Sequence, residues 1–197
     1  MKRQLVLAST SPFRAELLRR LHIPFITAAP EIVEKEHKGE TPSKMAERLA
    51  RQKAEAVATH FKNALIIGSD QVAALGDEIL RKPGTYENAL NQLQYMRGKE
   101  HQLHTAVHVI DTQNGKSEST LNSARLCLRS DLTDKEIMQY IKLENPLNCA
   151  GAYKIEGAGI KLFESIFCDD WTAIIGLPLI TLTKILREMN FTEYDES

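Results

Sequence analysis

The stretch Ala64 to Val72, A-L-I-I-G-S-D-Q-V, constrains the fold more than any other part of the chain. Leu65 to Ile67 is a short apolar run followed at once by Gly68. A run this short with no polar alternation reads as a strand buried on both faces, which places it inside a sheet covered on two sides. Gly68 predicts the end of that strand, so Ser69, Asp70 and Gln71 fall at its C-terminal edge. In open α/β sheets ligands bind at that edge. An Asp after a strand also serves as a turn or cap residue, so Asp70 becomes a candidate for chemistry only through its surroundings.

Leu5 to Ala8 is a second short apolar run, ending in Ser9-Thr10-Ser11-Pro12, and Pro12 opens a helix through Leu17, Leu18 and Leu21. Strand, polar loop and helix start together make a phosphate-binding geometry. The free N–H groups and the hydroxyls of Ser9, Thr10 and Ser11 face the loop, and Arg14 lies one turn inside as a bidentate cation. The Gly-rich spacing of a P-loop is absent, and a Ser-rich N-cap beside a solvated Arg has the same pattern. After an extended stretch at Phe25 to Ala28 comes the acidic loop Pro30 to Glu36. Thr41-Pro42 then starts a helix running to about Thr59, with Met45, Leu49 and Val57 toward the core. Lys53 follows Leu49 by four residues and shares its face. Its ammonium either snorkels to water, the commoner outcome, or meets a buried anion.

Val72 to Leu75 and Glu78 to Leu80 flank Gly76-Asp77, a hairpin signal that returns Lys82 toward Asp70. Thr85 caps a helix carrying Ala89, Leu90, Leu93 and Met96. Leu103 to Asp111 and Ser123 to Leu128 read as strands joined through Asn114-Gly115, which makes the sheet mixed. Thr133 to Glu136 is a capping box, Pro178 to Met189 closes the chain as a helix, and Thr192 to Ser197 reads as a frayed tail. Before that last helix, Cys149 to Gly159 sets small residues around Lys154 and Glu156. In an extended segment their spacing of two aims both side chains to one face, and the glycines admit a ligand; a solvated Lys/Glu pair on a loop has the same signature.

With 197 residues, 43% of them hydrophobic, the chain buries a core without staples, and residues 1–197 are read as a single domain. Twenty-five Lys and Arg against 26 Asp and Glu argue against a nucleic-acid polymer or a membrane surface as partner and leave local cations to explain binding. Cys127, Cys149 and Cys168 are odd in number and lack C-x-x-C pairing, so they read as reduced thiols rather than disulfides or zinc ligands. The apolar part of the start, Gln4 to Ala8, is too short for a signal peptide, and no stretch is long enough to span a membrane. The expected compartment is the cytoplasm.

Taken in order, Ser9-Thr10-Ser11-Pro12-x-Arg14-x-Glu16-Leu17-Leu18, Lys53-Ala54, Gly68-Ser69-Asp70, Lys82-Pro83, Gly151-Ala152-Tyr153-Lys154-x-x-Gly157 and Gly176-Leu177-Pro178-Leu179 resemble the Maf family of nucleoside triphosphate pyrophosphatases. The match runs nearly end to end, and six ordered motifs are far more specific than any one of them. The resemblance implies an α/β fold with a mixed twisted sheet flanked by helices, bilobed around a central nucleotide-binding cleft. It implies hydrolysis between the α and β phosphates, releasing a monophosphate and pyrophosphate, with a divalent metal, Mg²⁺ or Mn²⁺. Carried over by motif, Asp70 is the catalytic acid, Ser11, Arg14, Lys53 and Lys82 surround the triphosphate, and Glu34 joins Asp70 at the metal. Many members have Asp where this chain has Val33. Fold-level analogy makes a homodimer the expected assembly.

Within the family the chain looks most like the YceF type, which acts on 7-methyl-GTP. Most members carry Arg-Arg after the first Pro, where this chain has Phe13-Arg14, and the common Gln of the Gly-Tyr-Lys segment is Glu156. Both changes favour a cationic base. Methylation at N7 puts positive charge on guanine, for which Phe13 offers an aromatic face and Glu156 a counter-charge. The expectation is that Phe13, Gln71 and Glu156 line the base pocket, with Lys154 also among the substrate-binding residues. A member acting on UTP or dTTP is the alternative, as is a nucleotide-binding regulator of cell division with little hydrolysis.

Overall fold

The computed structural model describes residues 3–191, so the tail expected to fray from Thr192 lies outside the described residues. The chain divides into two compact units. The first takes the segment up to Gln71, Thr105–Asn122 and the segment from Asp170 onward; the second takes Val72–His104 and Ser123–Asp169.

The elements in chain order are β1 (Gln4–Ala8), α1 (Pro12–Arg19), β2 (Ile26–Ala28), α2 (Pro42–Ala58), β3 (Ala64–Leu75), β4 (Glu78–Leu80), α3 (Tyr86–Met96), β5 (Glu100–Asp111), β6 (Ser117–Leu128), α4 (Asp134–Glu144), β7 (Phe163–Phe167), α5 (Trp171–Ile175) and α6 (Leu179–Glu188). The strands form one sheet in the order β2-β1-β3-β5-β6-β7, with β4 on β3. β1 runs parallel to β2 and β3, whereas β4 is antiparallel to β3 and β7 to β6. The expected mixed α/β architecture is what forms. No helix among the described residues is long and apolar enough to cross a membrane.

In the first unit the apolar runs are buried on both faces, as their lack of alternation requires. Leu5, Leu7, Leu65 and Ile67 pack with residues of α1 and α6, among them Leu17, Leu18, Leu182 and Ile185. Val6, Ala8, Ala64 and Ile66 pack on the opposite face against Ala54 and Val57 of α2. The period of two along each strand assigns alternate residues to the two helical layers. Both helices start as their sequences dictate: Ser11 caps α1 and Thr41 caps α2, each with Pro at the first position.

One expectation fails here. Gly68 does not end the strand, because β3 continues through it to Leu75. A Cβ on Gly68 would lie 2.1 Å from the Ala50 carbonyl oxygen and 2.7 Å from the Ala54 nitrogen. The glycine serves close approach of α2 to the sheet rather than a turn.

In the second unit Ala89, Leu93 and Met96 of α3 and Ile137, Tyr140 and Ile141 of α4 are buried. The capping box at Thr133 and Glu136 forms in full. Two elements escaped the sequence reading. None of the residues of β7 is buried, so it carries no apolar run to notice, and α5 spans only five residues, too few for a helical period. Cys127, Cys149 and Cys168 are half-buried thiols that form no disulfide among the described residues.

Candidate active site

The pairing of β1 with β3 ends at Ala8 opposite Gly68. Ser69, Asp70 and Gln71 therefore run past the last residue of β1 while still in strand, beside the loop that leads into α1. Alternation along β3 turns Asp70 to the α2 face, with Gly68, and turns Ser69 and Gln71 to the other face. Asp70 is 6% exposed.

Lys53 of α2 meets it. Its Nζ donates to Asp70 Oδ1 at 2.5 Å and lies 2.7 Å from Glu34 Oε1. The ammonium does not snorkel, because the close seating of α2 on Gly68 sets this turn of the helix against a buried carboxylate. Burial raises the Asp70 carboxyl above its ordinary pKa, while the charges of Lys53 and Arg14 and the hydrogen bond from Lys53 pull it back and Glu34 adds to the rise. A carboxyl raised by burial is a stronger base than a solvated one, which suits it to take a proton from water.

Arg14 is held from the opposite face. Its Nε donates to the Gly176 carbonyl at 2.9 Å, and the Ser69 hydroxyl donates to the same oxygen at 3.0 Å. Gly176 has φ +123°, a conformation that favours glycine and aims this carbonyl at the two donors. Asp170 fixes the turn that carries it: Oδ1 accepts from the Thr172 amide and hydroxyl, and Oδ2 accepts from the Ile180 amide. Burial lowers the Arg14 pKa against the attraction of Asp70 and Glu34, but a guanidinium stays charged. Asp170 and Thr172 were not singled out from the sequence, and Gly176 and Ser69 entered only as parts of motifs, since a backbone carbonyl as acceptor leaves no side-chain signature.

The remaining residues of the first unit fall as follows. Ser11 caps α1 by accepting from the Arg14 amide at 3.4 Å, and its own amide donates to Ser9 Oγ at 3.1 Å. Phe13 is 41% exposed on the first turn of the helix. Gln71 Nε2 donates to Thr105 Oγ1 at 3.0 Å, Ala173 O at 2.8 Å and Ile174 O at 3.0 Å, so its amide nitrogen ties β3 to α5.

Lys82, Lys154 and Glu156 belong to the second unit. Lys82 is exposed after β4. The segment around Lys154 is not extended as expected: short 3₁₀ turns at Ala150–Ala152 and Ala158–Leu162 bracket a turn over residues 155–157. The end of α4 shapes it. The Lys154 amide donates to the Tyr140 hydroxyl at 2.8 Å, Lys154 Nζ donates to the Glu144 carbonyl at 2.5 Å, and the Ala158 amide donates to Glu144 Oε1 at 2.7 Å. Lys154 thus braces its loop, and Glu156 stands exposed on the turn.

Asp70 Oδ1 and Glu34 Oε1 converge on one cation, the Lys53 ammonium. A pair of carboxylate oxygens around a single positive centre is a donor set that suits Mg²⁺ or Mn²⁺, which take one or two carboxylates and complete their shell with water and substrate phosphates. Among the described residues no group of three or more His, Cys, Asp or Glu side chains gathers into a full protein cage for a metal.

The Maf-like protein family model matches residues 4–189. A protein of Polaromonas sp. (strain JS666 / ATCC BAA-500) named 7-methyl-GTP pyrophosphatase is 51% identical over 94% of this chain and 84% of its own length. One of the same name from Cupriavidus metallidurans is 47% identical over 95% of this chain and 94% of its own length. The structure of the Staphylococcus aureus Ham1 protein superposes with a TM-score of 0.51 at 13% identity, covering 95% of this chain and all of that one, a likeness of fold alone. A model matched nearly end to end and near-full-length relatives at this identity establish that the chain belongs to the Maf family.

Proposed function

We propose that the protein hydrolyses 7-methyl-GTP to 7-methyl-GMP and pyrophosphate. The observation that carries the reaction is the buried Asp70 carboxylate, raised in pKa and flanked by Lys53 and Arg14 at the carboxyl end of β1. The names of the relatives support the substrate.

Hydrolysis of a phosphoanhydride needs an activated water and positive charge around the leaving pyrophosphate. Asp70 orients the water and takes its proton as the new phosphorus–oxygen bond forms. The bridging oxygen leaves with the electron pair, on the pyrophosphate. Arg14, fixed on the Gly176 carbonyl, and Lys53 face the charge that builds there, and Lys82 is the third cation assigned to the triphosphate. Asp70 and Glu34 are the residues that would hold a divalent ion, which when bound neutralises phosphate charge and acidifies water.

A base bearing positive charge fits the residue types at two positions. Phe13 replaces the second Arg of the usual pair and removes a repulsion, and Glu156 brings a negative charge. A pure nucleotide binder is disfavoured by the same site, because binding alone needs only the cations, and a carboxylate set among them offsets the charge that would hold a triphosphate.

The test is pyrophosphate release from 7-methyl-GTP, GTP, UTP, dTTP and CTP with Mg²⁺ or Mn²⁺, for the wild type and Asp70→Asn. Selective turnover of 7-methyl-GTP that falls by about 10²–10⁴ in the variant, the usual worth of a general base, is the expected result. Preferred turnover of UTP or dTTP keeps the reaction and rejects the base assignment. Nucleotide binding with no pyrophosphate released rejects the reaction.

A further inference from the structure

Glu34 sits on a stretch with little structure of its own. No helix or strand covers residues 29–37. Its internal backbone bonds, Ile32 N to Pro30 O and Lys35 N to Val33 O, are tight local turns that do not tie the loop to the rest of the unit. Val33, the neighbour of Glu34, is 73% exposed. A carboxylate on such a loop can reach a defined position only if the loop is fastened elsewhere.

The fastening comes from Arg48, in the N-terminal half of α2. Its Nε donates to Glu40 Oε1 and its Nη2 to Glu40 Oε2, both at 2.6 Å, a fork-to-fork pair at the far end of the loop. The same Nη2 donates to the backbone carbonyl of Lys35 at 2.9 Å, one residue from Glu34. Nη1 is oriented by Gln52 Oε1 at 3.1 Å. Both side chains of the pair are 12% exposed, so water competes little. Hydrogen bonding from Arg48 holds the Glu40 carboxyl below its ordinary pKa, so the pair stays ionised at neutral pH. Lys53, a little over one turn further along the same helix, takes Glu34 itself. α2 therefore grips the loop twice, through Arg48 at Lys35 and Glu40 and through Lys53 at Glu34.

We propose that Arg48 and Glu40 are positioning residues for the reaction: their bidentate pair, with the bond from Arg48 to the Lys35 carbonyl, holds Glu34 against Lys53 and Asp70. Neither residue belongs to the motifs that identify the family here. The proposal rests on the reading of Glu34 as a member of the reacting site. A Lys at position 48 would not replace Arg, because an ammonium cannot hold a carboxylate in a fork and a carbonyl at once.

The test combines hydrogen exchange with a double-mutant cycle on Arg48→Gln, Glu40→Gln and Glu34→Gln, with thermal midpoints recorded for each. In both Arg48→Gln and Glu40→Gln the amides of residues 31–40 exchange faster while those of α2 and β3 keep their protection. Each lowers kcat for pyrophosphate release, by up to about 10²-fold, the cost of misplacing a group by about 1 Å. Combined with Glu34→Gln, Arg48→Gln gives no further loss, because both act through one carboxylate. Glu40→Gln serves where Arg48→Gln lowers the midpoint too far for the comparison. Losses that multiply in the double variant, or loop exchange unchanged by both single variants, overturn the proposal. If the wild type releases no pyrophosphate from any triphosphate, the reaction assignment fails by itself, and loop exchange still decides whether Arg48 and Glu40 hold residues 31–40.

Discussion

Gly68 and Ala50 are in backbone contact: a Cβ on Gly68 would stand 2.1 Å from the Ala50 carbonyl oxygen, closer than any real Cβ contact. This seating of α2 on β3 sets the site. Lys53 precedes Ala54, the other residue whose backbone meets Gly68, and Asp70 follows Gly68 by two on the same strand face. The pair that gives the site its charge pattern thus depends on a position with no side chain.

Gly68→Ala is the direct consequence. The clash falls on helix backbone, which cannot rotate away, so the cost exceeds the roughly 1–3 kcal/mol typical of an overpacked core. Denaturant unfolding is expected to show a loss larger than that for Gly76→Ala, where the added Cβ meets nothing within 4 Å and only the φ of +61° is strained. Any folded Gly68→Ala protein should also lose nucleotide turnover, because Lys53 is pushed off Asp70. Similar midpoints for the two variants would contradict this account of the helix–strand contact.

Lys53→Met tests the electrostatics of Asp70. Burial raises the carboxyl pKa and Lys53 is the largest influence lowering it. Removing the ammonium leaves burial less opposed, so the pKa climbs further and the deprotonated form is lost at higher pH. The acid limb of kcat/KM for pyrophosphate release therefore moves to higher pH in Lys53→Met. Arg14 still opposes burial, so the limb shifts rather than vanishes. A limb that stays in place means that a group other than Asp70 governs it.

Much of this arrangement was legible in the chain, for reasons that differ by residue. Leu65 to Ile67 announced a doubly covered strand because burial on two faces removes alternation, and Ser11 and Thr41 announced helix starts because caps need their hydroxyls. Lys53 was visible as an oddity, a cation on an apolar face, while its resolution depended on which anion lay opposite. Gly68 was misread because one letter encodes both a turn and a close approach. Gly176 entered only as part of a motif, since its role is to aim a carbonyl at Arg14 and Ser69. Arg48 and Glu40 were passed over because an i, i+8 pair across a helix start has no local pattern. The loop at Lys154 was taken as extended because the bonds that curl it come from Tyr140 and Glu144, far off in sequence.

His101 should dominate the acid sensitivity of the fold. It is 1% exposed on β5, with Nε2 2.8 Å from the Tyr153 hydroxyl and no partner for Nδ1, and burial pushes its pKa down to about 4. The neutral ring is the folded form, whereas the unfolded chain takes up a proton near 6.5. Stability is therefore fully present above about pH 6.5 and falls as pH drops toward 4, by up to about 3 kcal/mol from this residue. His104 and His108 on the same strand, also lowered by burial, add to the slope. His101→Phe should flatten the fall of unfolding free energy over that range without abolishing it. An unchanged slope would assign the acid sensitivity to other groups.

Glu156 carries the sharpest claim about the substrate. It is exposed on the turn at residues 155–157, and the hydrogen bonds around it, from Lys154 to Tyr140 and Glu144 and from Ala158 to Glu144, involve its neighbours rather than its carboxylate. Glu156→Gln therefore removes a charge and leaves the loop in place. If that charge faces a cationic base, the variant loses kcat/KM for 7-methyl-GTP while UTP and dTTP, which carry no positive charge on the ring, lose none. The discrimination ratio should fall by roughly tenfold or more, the worth of a charge-assisted contact of about 1.5 kcal/mol. GTP separates two roles of the carboxylate. A parallel loss for GTP means that Glu156 accepts from the guanine N1 and N2 edge, and a loss confined to 7-methyl-GTP means that it answers the positive charge. A ratio that does not move removes Glu156 from base selection altogether.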